Sequence, residues 1–597
     1  MWKVSSKCVV TVSGKMRPFS GNDCLKPVTV INRAFGAREP WQVATITATT
    51  VLGGVWLWTF VCQNESLYTR GRRQFFRIAK KIPAVRRQVQ AELTKANNDF
   101  ESAIKESNAH LTYTVTLPEK GLSKEVILKL VDDHLKTGHY EWRDGRVSGA
   151  VYGYNPELVQ LVTEVYGKAS YTNPLHADLF PGVCKMEAEV VRMACNLFHG
   201  SNDSCGTMTT GGTDSIVMAM KAYRDYAREY KGITRPNIVV PRTAHAAFDK
   251  VGQYFNIHVR SVDVDPETFE VDMKKFKRAI NRNTILLVGS APNFPYGTID
   301  DIEAIAALGV KYDSKDACLG SFVVALVRNA GYKLRPFDFD VKGVTSISAD
   351  THKYGFAPKG SSVILYSEKK FKDHQFTVTT DWPGGVYGSP TVNGSRAGGI
   401  IAACWAFGYD GYLEATKRIV DTARYIERDV RDIDGLFVFG KPATSVIAFG
   451  SNVFDIFRLS DSLCKLGWNL NALQFPSGIH ICVTDMHTQA GVADKFIADV
   501  RSCTAEIMKD PGQPVVGKMA LYGMAQSIPD RSVIGEVTRL FLHSMYYTPS
   551  QKYASASATL PTAPTHASIS SAVLLFLEPP RTPCYPSNIY IYLQLEL

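Results

Sequence analysis

A lysine placed just after a buried strand can lose its proton to desolvation and act as an amine nucleophile. The stretch Ser348-Ala349-Asp350-Thr351-His352-Lys353-Tyr354-Gly355 has that form: it follows Val344-Thr345-Ser346-Ile347, which reads as a strand, and precedes a Pro358-Lys359-Gly360 turn. Taken alone, it equally describes a surface loop, the commoner setting of any single lysine. A second segment, Thr209-Thr210-Gly211-Gly212-Thr213-Asp214-Ser215, opens a helical pattern at Ile216. Free N–H groups at such a helix start hold a phosphate without a basic side chain. The segment matches neither the P-loop lysine pattern nor the dinucleotide glycine pattern, and a plain capping turn also accounts for it. Asp316, before Ala317-Cys318-Leu319-Gly320, offers a carboxylate, and His245, within Thr243-Ala244-His245-Ala246-Ala247, offers a planar ring among small neighbours. Each of these, alone, has an ordinary structural explanation.

The elements that must position these residues are legible from periodicity. Short β-branched runs (Ile238-Val239-Val240, Ile285-Leu286-Leu287-Val288, Val344 to Ile347, Val363-Ile364-Leu365-Tyr366) alternate with helical patterns such as Lys185 to Phe198 and Thr213 to Tyr230. That alternation predicts an α/β fold with a mainly parallel sheet covered by helices. A helix over Leu413 to Asp432, then strands at Ser445 to Phe449 and Ile479 to Val483, predict a smaller α+β domain ending near Met545.

The chain has 597 residues and a formal charge of +10, with 45% hydrophobic and 21% charged residues, which excludes wholesale disorder and a polytopic membrane protein. The excess charge is local: residues 1–41 carry seven basic and two acidic groups, residues 63–95 nine and two, and the rest is slightly negative. A nucleic-acid partner is therefore not expected. Between the two basic segments, Val43 to Cys62 holds no charged residue and is long enough to cross a bilayer as a helix, with Trp41, Trp56, Trp58 and Phe60 toward its edges. It reads as a retained single-pass anchor with the bulk of the protein on the cytosolic side. The cysteines, twelve in number, include no CxxC pair, so neither a zinc site nor a disulfide framework is expected. The segment after Thr548, rich in Ser, Thr, Ala and Pro, reads as disordered.

Phosphate cradle, ring, carboxylate and lysine occur in the chain order of pyridoxal-phosphate enzymes with the aspartate-aminotransferase fold (fold type I). Within that class the chain resembles the sphingosine-1-phosphate lyases over roughly residues 39–545. The motifs carrying the resemblance are Ser148-Gly149-Ala150-Val151-Tyr152, Asn173-Pro174-Leu175-His176, Ser346 to Gly355 and Gly394-Ser395-Arg396. The resemblance implies pyridoxal 5'-phosphate as cofactor, a sphingoid base phosphate as substrate, a homodimer with shared active sites, and an endoplasmic-reticulum membrane location. It implies retro-aldol cleavage of the C2–C3 bond to a long-chain aldehyde and phosphoethanolamine. By the same resemblance Lys353 holds the cofactor as a Schiff base, Asp316 faces its pyridine nitrogen and His245 stacks on its ring. Gly211, Gly212, Thr213, Asp350, His352 and, from a second copy, Ser395 complete the cofactor site. Tyr152, Asn173, His176, Lys359 and Tyr387 line the substrate side, with Tyr152 and His176 both candidates for the base.

The expected organisation is a lumenal arm over 1–41, an anchor over 42–62, and a basic juxtamembrane and linker helix over 63–118. There follow an N-terminal arm of the catalytic unit over 119–165, a large cofactor-binding domain over 166–412, a small domain over 413–545 and a tail over 546–597. Two segments depart from the family pattern. Asp316 follows Lys311-Tyr312-Asp313-Ser314-Lys315, a polar run a few residues short for a buried strand, and Ala403 to Tyr409 is contracted. Two further readings therefore stand beside the lyase: an inactive membrane-anchored relative or dimer partner, and an amino-acid decarboxylase of the same fold.

Overall fold

The structure is a computed structural model and describes residues 36, 38–61, 67–138, 140–312, 315–320, 322–515 and 530–549. Most of the arm before the anchor segment and of the tail lies outside the described residues.

Three helices lead in: α1 (Pro40–Val61), α2 (Leu67–Ala79) and α3 (Pro83–Ser107). After α4 (Lys124–Leu135) comes α5 (Pro156–Ala169), whose start is set by Asn155; its side-chain oxygen accepts from the N–H groups of Glu157 and Leu158, and Pro156 occupies the first helical position. The central unit then runs α6 (Pro181–Leu197), β1 (Cys205–Thr209), α7 (Gly212–Lys231), β2 (Asn237–Pro241), α8 (Ala247–Phe255), β3 (His258–Val262), α9 (Met273–Ala279) and β4 (Thr284–Ser290). It continues through α10 (Ile302–Tyr312), β5 (Lys315–Gly320), β6 (Val344–Ala349) and β7 (Ser362–Tyr366).

The seven strands form one sheet in the order β1-β7-β6-β5-β4-β2-β3. β7 runs antiparallel to both its neighbours and the remaining pairs are parallel, which gives the mainly parallel sheet that the alternation predicts. Its central strands are continuous apolar runs because helices cover both faces: Ile238, Val240, Leu286 and Val288 pack with Ile216, Met220 and Tyr223 of α7, while Val239 and Leu287 pack with Phe276 and Ile305 on the other side. β1, β3 and β5 were not among the predicted strands. β1 and β3 are short and only partly apolar, and β5 begins with Lys315-Asp316.

Beyond the sheet, a two-stranded ribbon, β8 (Thr377–Thr379) and β9 (Tyr387–Ser389), precedes α11 (Gly398–Trp405) and α12 (Tyr409–Arg431). α12 runs unbroken through the expected boundary at 412. The antiparallel sheet β10 (Phe437–Val438), β11 (Val446–Gly450), β13 (Gly478–Cys482) and β12 (Asn471–Leu473) follows, with α13 (Ile456–Lys465) and α14 (Val492–Met508) packed on it. The last helix, α15 (Arg531–Ser544), returns to α3, where Phe100 meets Phe541 edge-on at 5.5 Å and Lys80 pairs with Asp530 at 3.1 Å.

Among the described residues no helix is long and apolar enough to cross a membrane. The described side chains of α1 end at Leu57, and Val51, Leu52, Val55, Trp56 and Leu57 are each more than half exposed.

Candidate active site

The parallel strands β4 and β6, with β5 between them, end at the same edge of the sheet, and their last residues open onto a cavity of about 120 Å³ lined by Ser290, Ser348, Asp350, Lys353, His245, Gly212, Tyr152, Tyr354, Ser445 and Cys482, among others. Ligands of open α/β sheets bind at this edge, where successive loops diverge. β6 delivers Asp350, and a tight turn follows in which Phe356 N–H donates to the Lys353 carbonyl at 3.0 Å. Gly355 is required there, since a Cβ would lie 2.4 Å from the Thr351 carbonyl.

The turn brings Lys353 Nζ to 2.7 Å from Asp350 Oδ2. Burial pushes the Asp350 carboxyl upward, but the Lys353 ammonium, with His352 and Ser362, more than offsets this and holds it below the ordinary carboxylate range. The second oxygen, Oδ1, is buried without a partner and lies 2.8 Å from where a Gly212 Cβ would stand. Gly212 is thus glycine because the loop before α7 approaches the lysine turn too closely for a side chain.

His245, after β2, accepts the Ala247 N–H on Nδ1 at 3.1 Å, so its proton is on Nε2. Burial and the Lys353 charge lower its pKa and keep the ring neutral. His352 donates from Nδ1 to the Ser361 carbonyl, and its Cε1 lies beside Gly211. Its pKa is lowered as well, first by burial, although Asp350 opposes the shift.

Tyr152 packs edge-on against Tyr354, centroids 4.8 Å apart, and Lys359 Nζ lies 5.0 Å over the Tyr152 ring. Burial raises the Tyr152 phenol far above its ordinary pKa, with Cys482 and Asp350 adding to the effect. It is a neutral phenol at physiological pH, suited to donating a hydrogen bond and poorly suited to removing a proton. A second, larger cavity of about 870 Å³ opens on the other side of Tyr152 and Lys353; Leu158, Val159, Val162, Phe356 and Phe407 give it apolar walls.

The remaining expected residues form a separate cluster. Asn173 Oδ1 accepts the Arg396 N–H at 3.1 Å, Arg396 pairs with the half-buried Glu187, and the Tyr387 hydroxyl and Leu175 flank Gly394. His176 and Ser395 are exposed beside them. None of these residues lines either cavity that Lys353 reaches. Asp316 is the second residue of β5, level with Leu287 of β4 and Val344 of β6, whereas Ser290 and Ser348 are level with Leu319.

Sequence reasoning missed Tyr354, Ser445 and Cys482. The Tyr354 hydroxyl meets Ser445 Oγ at 2.6 Å and the Val483 carbonyl at 2.9 Å, tying the lysine turn to the small sheet. Adjacency to Lys353 was the available signal for Tyr354; Ser445 and Cys482 arrive from strands with no local mark.

Fold and site define a pyridoxal-phosphate-dependent enzyme, and residues 108–451 match the pyridoxal-dependent decarboxylase conserved domain. Glutamate decarboxylase of Lactobacillus brevis, at 19% identity, shares the fold with a TM-score of 0.59 over 69% of this chain and 98% of its own. The chain belongs to the sphingosine-1-phosphate lyase family: it is 90% identical over 545 residues to the Drosophila melanogaster protein of that name, covering 90% of this chain and all of the relative. It is 49% identical to sphingosine-1-phosphate lyase 1 of Rattus norvegicus over 85% of this chain and 91% of the relative. The solved lyase of Burkholderia pseudomallei is 39% identical, with a TM-score of 0.67, over 73% of this chain and 98% of that one.

Proposed function

We propose that the chain is a carbon–carbon lyase that cleaves sphingosine 1-phosphate and related sphingoid base phosphates between C2 and C3 to a long-chain aldehyde and phosphoethanolamine. The observation that carries this reading is Lys353, 2.7 Å from a buried carboxylate at the edge of the sheet, in a chain whose relatives are named for that lyase activity. The residues fit pyridoxal phosphate: a glycine cradle at the start of α7, a neutral planar ring in His245, and a buried unpartnered oxygen on Asp350. Gly211, Gly212, Thr213 and His352 would hold its phosphate, His245 its ring and Lys353 its aldehyde carbon. When bound it supplies a sink for the electrons of the breaking bond.

The chain's own groups do the rest. Lys353 is the amine that meets a carbonyl presented at the cavity, and Asp350 beside it fixes the position of its Nζ. Tyr152, kept protonated, donates to the substrate's C3 oxygen. Lys359, an exposed cation at the mouth, takes the substrate phosphate, and the larger cavity takes the start of the alkyl chain.

Asn173, His176, Tyr387 and Ser395 reach the reaction from a second copy of the chain, since in one copy they lie apart from Lys353; His176 of that copy accepts the C3 hydroxyl proton. A homodimer with shared sites follows. Helix α1, with its exposed apolar side chains, anchors the protein in the endoplasmic-reticulum membrane, and the basic run from Arg70 to Arg87 marks the cytosolic flank and attracts anionic headgroups. A phosphorylated lipid partitions into that membrane, so the tether places the site where substrate is concentrated. Removing residues 1–62 is expected to release the protein from membranes and leave cleavage of detergent-dispersed substrate intact; a folded, soluble, inactive protein would contradict the tether as a mere anchor.

A further inference from the structure

Lys353 and Tyr152 come from distant parts of the chain, yet the chemistry needs them at a fixed separation: one meets the carbonyl and the other donates to the C3 oxygen. A misplacement of about 1 Å between reacting groups costs on the order of a hundred-fold in rate. Both residues are fastened to the end of one strand, β13. On the Tyr152 side, Ser148 Oγ accepts the Cys482 N–H at 2.9 Å, the Gly149 N–H donates to the Cys482 carbonyl at 3.0 Å, and the Asp485 N–H donates to the carbonyl of Tyr152 itself at 3.0 Å. Gly149, at φ 61°, then turns the chain through a conformation that favours glycine. The turn brings the Tyr152 hydroxyl back to Cys482: that hydroxyl and Cys482 Sγ each lie 3.6 Å from where a Gly149 Cβ would stand.

On the lysine side the bond is made by Tyr354, the residue after Lys353. Its ring is buried and meets the Tyr152 ring edge-on at 4.8 Å. Its hydroxyl donates to the Val483 carbonyl at 2.9 Å and lies 2.6 Å from Ser445 Oγ and 3.2 Å from Cys482 Sγ. A phenylalanine would fill the same volume, so the hydroxyl alone is what reaches β13. Tyr412 of α12 donates to the Gly355 carbonyl at 2.8 Å, so the turn keeps a second hold when the Tyr354 hydroxyl is removed.

We propose that Tyr354 is a positioning residue: its hydroxyl locks the Lys353 turn to the end of β13, where Ser148 and Gly149 lock the segment that carries Tyr152. Cys482 is the shared centre, and the small sheet thereby sets the separation of the two reacting groups. The inference rests on the roles of Lys353 and Tyr152 given above. Loosening this hub lowers kcat and leaves KM, which Lys359 and the apolar walls of the larger cavity set.

The test uses the full chain loaded with pyridoxal phosphate, assayed on sphingosine 1-phosphate, with its visible absorption titrated against pH and its folding checked by circular dichroism and melting. Tyr354→Phe is compared with Ser445→Ala and with Tyr366→Phe, which removes another buried tyrosine hydroxyl, bonded to Gln375 Oε1 at 2.9 Å, away from both cavities. Tyr354→Phe is expected to lower kcat by about ten-fold or more with KM within about two-fold. It is also expected to move the pH midpoint of the absorption by about half a unit or more, because Lys353 leaves its set distance from Asp350. Ser445→Ala is expected to act in the same direction on both, and Tyr366→Phe to lower the melting temperature alone. Combining Tyr354→Phe with Ser148→Ala is expected to lower kcat by less than the product of the single effects, since both release one hub. A folded Tyr354→Phe protein with the parent's kcat and midpoint, or with changes matched by Tyr366→Phe, would overturn the proposal, as would a fully multiplicative double variant. Should Tyr354→Phe fail to fold, Ser445→Ala decides by the same two readouts. A folded parent chain with neither colour nor activity would instead overturn the reading of the site, and the inference with it.

Discussion

At the scale of the residue, the pairing of Lys353 with Asp350 organises the site. An exposed lysine–carboxylate pair contributes little to stability, but this carboxylate is mostly buried and its second oxygen has no partner, so the pair is a poised arrangement rather than a structural clasp. Lys353→Ala is therefore expected to abolish the yellow colour that borohydride bleaches and, by leaving the buried Asp350 without its counter-ion, to lower the melting temperature as well. Gly212→Ala makes a sharper test of the cradle. The new methyl would stand 2.8 Å from Asp350 Oδ1, and cofactor affinity is expected to fall by about ten-fold or more, read by absorption titration. Lys353, His245 and the glycines were legible because their spacing repeats a known chemical plan. Tyr152 was legible by resemblance, but its depth against Tyr354 and Cys482, which decides that it stays a phenol, depends on residues about 200 and 330 positions further along the chain.

At the scale of the element, the strands that sequence made visible are those buried on both faces, such as Ile285 to Val288. β1 and β3, at the sheet's two rims, carry too few apolar residues to stand out. β5 has a strand-like tail, Ala317-Cys318-Leu319, but its charged entrance argued against a strand, and only pairing with β4 and β6 establishes it. The small sheet carries its own signature. His480 donates from Nδ1 to the Pro295 carbonyl, His487 binds Thr484, and burial lowers both imidazoles to about 4 from 6.5. Between pH 6.5 and 4 the unfolded chain binds protons that these folded rings refuse, so stability is lost as pH falls through that window. Each ring accounts for about 3 kcal/mol at most. Asp300, raised by burial to about 7, binds its proton in the folded state and acts in the opposite sense over much of the same range. The net effect is that of roughly one histidine, and His480→Phe is expected to flatten the pH dependence of urea unfolding; an unchanged slope would contradict the assignment.

At the scale of the whole molecule, the excess positive charge belongs to the two segments flanking α1 and not to the catalytic unit. The separation of Asn173, His176 and Tyr387 from Lys353 within one chain is the feature that sequence did not reveal, since motif order says nothing of which copy supplies a residue; only Ser395 was expected from a second copy. Chains carrying Lys353→Ala and chains carrying His176→Gln, each inactive alone, are expected to recover activity when refolded together; no recovery in a mixed dimer would contradict shared sites. The central claim is tested most directly by incubating the purified full chain, loaded with pyridoxal phosphate, with sphingosine 1-phosphate and measuring products by mass spectrometry. Equal amounts of long-chain aldehyde and phosphoethanolamine, absent with Lys353→Ala, are the expected result; a folded, yellow protein that leaves the substrate intact would contradict it.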